Sequence, residues 1–183
     1  MRSRPLLISV LGGECTGKTA LCTLLAERHQ GLTFKETLRA WVEQADRPPM
    51  QHEQRQILQA QCDQEALAIE QAVRAGLSTV FVDSGPLMTA IYSQVYFSDD
   101  SLLVEALRWQ SRYDLTLICA DDLPWVPDPG QRDGVDYRAK AQAALRDALR
   151  RGFAGEVVSI EGLDAQRVIF ASQRLERLIS EAR

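Results

Sequence analysis

Leu6-Leu-Ile-Ser-Val-Leu-Gly-Gly-Glu-Cys-Thr-Gly-Lys-Thr19 decides how the chain is read. Its last eight residues fit G-x-x-x-x-G-K-[ST], with Gly12, Gly17, Lys18 and Thr19 at the fixed positions. Glycines let the backbone curl until successive amide N–H groups point at phosphate oxygens. Lys18 is then expected to reach the β- and γ-phosphates and the Thr19 hydroxyl to ligate Mg²⁺. The run before the loop is apolar, as in a buried strand. The residues after it, Ala20, Leu21, Leu24, Leu25 and Arg28, make an amphipathic helix pattern that stops before Gly31. Such a helix aims its positive end at the phosphates. The whole loop, Gly12, Gly13, Glu14, Cys15, Thr16, Gly17, Lys18 and Thr19, is therefore read as a nucleoside triphosphate site.

Further apolar runs carry the same logic along the chain. Leu32 to Glu36 reads as a short strand ending on an acid, and Ser78 to Asp83 as a buried strand ending on an aspartate. Asp114 to Ala120 and Glu156 to Ile160 complete five strands. Helical patterns separate them. One carries Leu38, Trp41 and Val42 and ends before Pro48-Pro49. A long one runs from Met50 to Ala75 with a stripe of Leu58, Cys62, Ile69 and Val73. Others lie at 101–109, at about 136–151 and from about Asp164 to Ala182. Alternating strands and helices predict an α/β fold: a three-layer α/β/α arrangement with a mainly parallel five-stranded sheet, like that of phosphate-loop nucleoside and nucleotide kinases. The 183 residues suit one domain, 1–183, with a lid at about 121–135.

The strand C-termini fall on one edge of such a sheet, where ligands bind. Asp83 stands where phosphate-loop enzymes keep the acid that holds Mg²⁺. The residue after it is Ser84, where ATP-driven machines usually carry a glutamate that activates water. Transfer to a bound acceptor is therefore favoured over hydrolysis. Glu36 is placed to take the proton of an acceptor hydroxyl, and Arg39, on the same helix face, to steady Glu36 or a phosphate. A solvated ion pair at a helix start is the alternative for these two. The Pro- and Asp-rich segment 121–134 reads as a lid in which Arg132 stabilises the transferring phosphoryl group and Trp125 offers an aromatic face; anchoring of a surface loop is the other reading.

Composition removes several classes. The net charge is −4, and the eighteen arginines are dispersed among acids, which disfavours a nucleic-acid partner. No run of about 18 apolar residues suggests a membrane span. The start, Met1 to Ile8, is too short in apolar residues for a signal peptide, so a cytoplasmic location is expected. The chain contains no asparagine, which excludes the Asn-Lys-x-Asp base-reading motif of GTPases. Cys22, Cys62 and Cys119 read as reduced core residues, and Cys15 lies in the phosphate loop.

The phosphate loop, Glu36-x-x-Arg39, Phe81-Val-Asp83 with Pro86 to Tyr92, and Tyr113-Asp-Leu-Thr-Leu before Leu123-Pro-Trp125 together resemble the kinase domain of the NadR-type proteins, within a wider group of AAA-type small ATPases and kinases. The resemblance implies phosphorylation of nicotinamide riboside, or a related nucleoside, with ATP and Mg²⁺ in NAD salvage. It implies ATP held by Gly13 to Thr19, metal by Asp83, acceptor near Glu36 and Arg39, and a lid at Trp125 to Arg132. For a cationic pyridinium, Trp41, Tyr92 and Trp125 are the candidate aromatic walls. Two departures stand out. The family usually has Asp-Thr-Asp where this chain has Asp83-Ser84-Gly85, leaving Glu14 or Asp122 as candidate replacements for the second acid. Neither an adenylyltransferase domain nor a DNA-binding segment, which often precede this kinase, is read in these residues. A homo-oligomer is compatible with the sequence. The alternative function is a regulatory module that uses ATP to switch a protein partner.

Overall fold

The structure, a computed structural model, describes residues 4–34, 36–126 and 134–181. Five strands, β1 (Leu6–Leu11), β2 (Leu32–Phe34), β3 (Thr79–Asp83), β4 (Leu115–Cys119) and β5 (Val157–Ile160), form one parallel sheet in the order β2-β3-β1-β4-β5. β1, β3 and β4 are buried along their whole length, which is why they read as continuous apolar runs. Seven α-helices lie among the described residues: α1 (Lys18–Arg28), α2 (Thr37–Ala45), α3 (Gln54–Arg74), α4 (Pro86–Phe97), α5 (Leu103–Gln110), α6 (Val135–Gly152) and α7 (Asp164–Glu181).

Side chains alternate across the sheet and build a core on each face. Ile8, Val10, Phe81 and Leu117 pack against Leu21 and Leu25 of α1 and Ala171 and Leu175 of α7. On the other face Leu11 and Ile118 meet α4, α5 and α6, while Leu7, Val80 and Val82 meet Ala68 and Ala72 of α3. The three layers anticipated from the sequence are thus present, with α1 and α7 on one side and α3 to α6 on the other.

Several element readings need correction. α4 carries no amphipathic period because it is surrounded: every residue from Pro86 to Ser93 is buried. β2 ends at Phe34, and Glu36 stands at the N-cap of α2 rather than on a strand. The long helix from Met50 begins as a short 3₁₀ turn, Gln51–Glu53. The stripe assigned to it is also displaced. Leu58 and Cys62 are buried, but Val73 is 51% exposed, and the inward positions include Gln61 and Glu65. In α1 the buried face is Leu21, Cys22, Leu25 and Ala26, with Ala20 and Leu24 exposed. Cys22, Cys62 and Cys119 are free buried thiols, as expected.

Two buried polar side chains on α3 are satisfied by neighbours from other elements. Glu65 accepts from the Tyr113 hydroxyl at 2.7 Å and from Gln61 Nε2 at 3.2 Å. Gln61 Oε1 in turn accepts from the Thr37 hydroxyl at 2.5 Å and from the Thr37 amide at 3.3 Å. This chain of contacts fixes the first residue of α2, and therefore Glu36 beside it.

Candidate functional site

Between β1 and α1 the backbone turns through Gly12 (φ 151°) and Gly17 (φ 78°), conformations that an L side chain rarely adopts. A Cβ on Gly12 would also lie 2.7 Å from Thr16 Oγ1 and 3.0 Å from the Cys119 carbonyl. The loop wraps around its own Gly13 carbonyl. Thr16 Oγ1 and Lys18 Nζ each donate to that oxygen at 2.9 Å.

Residues distant in sequence hold the loop in place. Gln142 of α6 accepts from the Gly13 amide at 2.9 Å and donates to the Cys119 carbonyl at 2.9 Å, clamping the loop to the end of β4. Arg167 of α7, 3% exposed, donates to the carbonyls of Thr16 (2.6 Å), Gly162 (2.7 Å) and Ala120 (3.3 Å), and pairs with Asp122. Nothing in a single sequence announces these two residues, because their partners lie on the far side of the chain. Arg167→Met keeps much of the volume but leaves three carbonyls and Asp122 without their donor. We expect a loss of about 3 kcal/mol in stability, measured by urea unfolding, together with weakened ATP binding. Unchanged values for both would contradict the clamp.

Thr19 and Asp83 meet at the mouth of the loop. The Thr19 hydroxyl donates to Asp83 Oδ2 at 2.6 Å, and the Ser84 hydroxyl to Asp83 Oδ1 at 3.3 Å. A hydroxyl and a carboxylate in contact beside a phosphate loop are hard oxygen donors suited to Mg²⁺, an ion that keeps several waters and phosphate oxygens as its other ligands. Among the described residues no cluster of three or more His, Cys, Asp or Glu forms a metal cage, and Mg²⁺ bound with a nucleotide needs none. Asp122 is tied to Arg167 and to the Gly162 amide and is not among the residues that line the cavity beside the loop. Glu14 lines the cavity and accepts from the Tyr96 hydroxyl at 2.9 Å.

The loop forms one wall of a cavity of about 700 Å³. The same cavity is lined by Glu36, Arg39, Leu38 and Val42 from α2 and its N-cap, and by Tyr92, Tyr96 and Phe97 from α4. Tyr137 of α6 also lines it and stacks on Tyr96, with ring centroids 4.9 Å apart and planes at 14°. Burial pushes the Glu36 carboxyl above the usual range. Lys18 opposes that shift, Asp83 adds to it, and a hydrogen bond from Ser84 and the charge of Arg39 draw it back. Burial, reinforced by Glu36, Glu14 and Asp83, keeps the Tyr92 phenol protonated.

The structure thus brings residues 14–19, Glu36 and Arg39 to one cavity, with Asp83 in contact with Thr19. Tyr92 is in the wall; Trp41 instead carries the Arg47 guanidinium over its ring, 5.0 Å from the centroid. Trp125 is not among the lining residues and is half-buried, its indole N–H without a partner among the described residues. The described part of the segment expected to form a lid packs on the phosphate loop: Cys15 Sγ lies 3.5 Å from the Pro124 carbonyl and 3.3 Å from the Val126 amide, and Arg138 donates to the Leu123 carbonyl at 2.9 Å. Arg132 and the rest of 127–133 lie outside the described residues.

A parallel sheet in this order, with a phosphate loop after its central strand and an aspartate ending the neighbouring one, defines a phosphate-loop protein of the nucleoside and nucleotide kinase fold. A family model described as AAA domain matches residues 7–167, and the chain belongs to that family. A NadR protein solved with NAD and AMP-PNP superposes with a TM-score of 0.76 at 20% identity over 95% of this chain and 49% of that one. The chain therefore spans about half the length of the NadR protein it matches. Deoxyadenosine kinase from M. mycoides, solved with dATP, gives 0.64 at 14% identity, covering 93% of this chain and 99% of that one. Thymidylate kinase from Ehrlichia chaffeensis gives 0.64 at 16%, covering 96% and 98%. Likeness at these identities speaks for the fold. Comparison with curated proteins gave no significant match. Among the described residues no helix is long and apolar enough to cross a membrane.

Proposed function

We propose that the chain is an ATP- and Mg²⁺-dependent kinase of a small hydroxyl-bearing metabolite, with nicotinamide riboside or a related nucleoside as the first candidate. The observation that carries this reading is the shared cavity. The phosphate loop and a carboxylate at the N-cap of α2 open into one space of about 700 Å³ whose remaining walls are largely apolar and aromatic. Simple hydrolysis has no use for such a second compartment, whereas a drug-sized or nucleoside-sized acceptor fits it. Ser84, in place of a water-activating glutamate after Asp83, supports the same choice. NadR proteins have been solved in complex with NAD and AMP-PNP and in complex with NR, which supports a nicotinamide riboside acceptor.

In this reading Gly12 to Thr19 cradle the triphosphate with backbone amides, and Lys18 leaves the Gly13 carbonyl to meet the β- and γ-phosphates. Thr19 and Asp83 hold Mg²⁺, which when bound neutralises charge on the phosphates. Glu36 accepts the proton of the acceptor hydroxyl as its oxygen bonds to the γ-phosphorus. The bond from that phosphorus to the β–γ bridging oxygen breaks, and ADP leaves with the electron pair. Arg39 sits by Glu36 to pair with it or with the transferring group, and Arg132 and Trp125 belong to a lid that excludes water.

The test is ADP release from Mg·ATP, run alone and then with nicotinamide riboside, other nucleosides and nicotinamide mononucleotide. A rise of about a hundredfold with one acceptor is the expected result. Slow turnover indifferent to every acceptor, with ATP still bound, would overturn the kinase reading and point to a nucleotide-switched regulatory module.

A further inference from the structure

Among the described residues, Cys15, Gln30, Asp46, Ser84 and Ser98 adopt a positive φ without being glycine. Gln30, Asp46 and Ser98 are exposed and lie at the ends of α1, α2 and α4, where a left-handed residue commonly closes a helix. Cys15 belongs to the phosphate loop. Ser84, at φ 56° and 3% exposed, is the buried one, and it directly follows the acid that ends β3. Its amide donates to the Val10 carbonyl at 3.1 Å, a bond that holds the turn whatever the side chain. Glycine would take this backbone without strain. What serine adds is a hydroxyl.

That hydroxyl stands between two carboxylates from different elements. It donates to Asp83 Oδ1 at 3.3 Å and is in hydrogen-bonding contact with Glu36 at the N-cap of α2. The other oxygen of Asp83 accepts from Thr19 at 2.6 Å, so the two oxygens are held separately. Asp83 and Glu36 repel each other: the charge of Asp83 pushes the Glu36 carboxyl up, and the Ser84 hydrogen bond draws it down. One O–H placed between two acids eases that repulsion and limits how far they move apart. Resting on the kinase reading, we propose that Ser84 is a positioning residue whose hydroxyl keeps the Glu36 carboxylate at a set distance from Asp83, and so from the phosphoryl group to be transferred.

A double-mutant cycle reads this contact without turnover. Urea unfolding of the nucleotide-free protein is compared at pH 8 for the wild type, Ser84→Ala, Glu36→Gln and the double variant. Loss of the hydroxyl is expected to shift the unfolding equilibrium about fivefold more when Glu36 is present than when glutamine replaces it. An additive cycle overturns the proposal. Turnover supplies a second readout. Ser84→Ala and Ser84→Gly remove the same hydroxyl, the first keeping the backbone strain and the second releasing it. Both are expected to lower kcat by about tenfold or more, with KM for Mg·ATP within about threefold of the wild type. Wild-type kcat in either variant overturns the proposal. So does a loss of kcat matched by an equal rise in KM for Mg·ATP, which is what general damage to the phosphate site would give. If the wild type phosphorylates no acceptor, the kinase reading falls, and the unfolding cycle still decides whether Ser84 holds the two acids together.

Discussion

Glu36→Gln is expected to lower kcat with the acceptor by roughly 10²- to 10⁴-fold while changing the affinity for Mg·ATP by no more than about twofold. Glutamine preserves the shape at the N-cap of α2 but cannot take a proton. Glu36 makes no hydrogen bond to the phosphate loop among the described residues, so its influence on nucleotide binding is confined to its charge interaction with Lys18. The pH dependence gives an independent reading. Burial holds the Glu36 carboxyl above the ordinary range, against the opposing charges of Lys18 and Arg39. A base works only when deprotonated, so activity falls as the pH drops through that raised value, at a higher pH than for an ordinary glutamate. The acid limb should disappear in Glu36→Gln. Wild-type rates in the variant would return Glu36 and Arg39 to the ion-pair alternative.

Glu65→Gln is expected to stabilise the protein above neutral pH, although it removes a buried charged residue. Burial pushes the Glu65 carboxyl up to about 7, with the Tyr113 and Gln61 hydrogen bonds pulling the other way. In the unfolded chain a glutamate titrates near 4.3. The raised value means that the native state prefers the protonated form. This group's contribution is fully present below about pH 4.3 and is lost as pH rises toward 7. At pH 8 the native carboxylate costs on the order of 3 kcal/mol relative to a neutral side chain. Glutamine can still accept from Tyr113 and Gln61. Urea unfolding at pH 5 and pH 8 should therefore show a pronounced decline for the wild type and a shallower one for the variant, which overtakes it at pH 8. Parallel declines would show that Glu65 does not titrate in this range.

The phosphate loop, the parallel sheet and the convergence of Glu36 and Asp83 with the loop were legible because each rests on short-range pattern. Fixed glycine spacing marks the loop, and continuous apolar runs such as Leu6–Leu11 and Thr79–Asp83 mark buried parallel strands. α4 was not legible, since a helix enclosed on all sides has no polar face to give it a period. The stripe on α3 was misplaced for the opposite reason: Gln61 and Glu65 point inward, and only the positions of Thr37 and Tyr113 make that affordable. Gln142 and Arg167 hold the phosphate loop from 129 and 151 residues away, a relation that no local spacing encodes. Tyr96, Tyr137 and Gln54 are ordinary helix residues in sequence and become cavity walls only when α3, α4 and α6 stand side by side. Trp125, an obvious aromatic candidate, sits in the segment that touches Cys15 and is not among the residues that line the cavity.

The most direct measurement follows the phosphoryl group itself. Mg·ATP labelled at the γ-phosphate is incubated with the protein and nicotinamide riboside, then with each other nucleoside of the panel, and the labelled products are separated. The kinase reading predicts label on the acceptor in amounts equal to the ADP formed, lost in Glu36→Gln. Label found only as inorganic phosphate, at a rate that no acceptor alters, would contradict it.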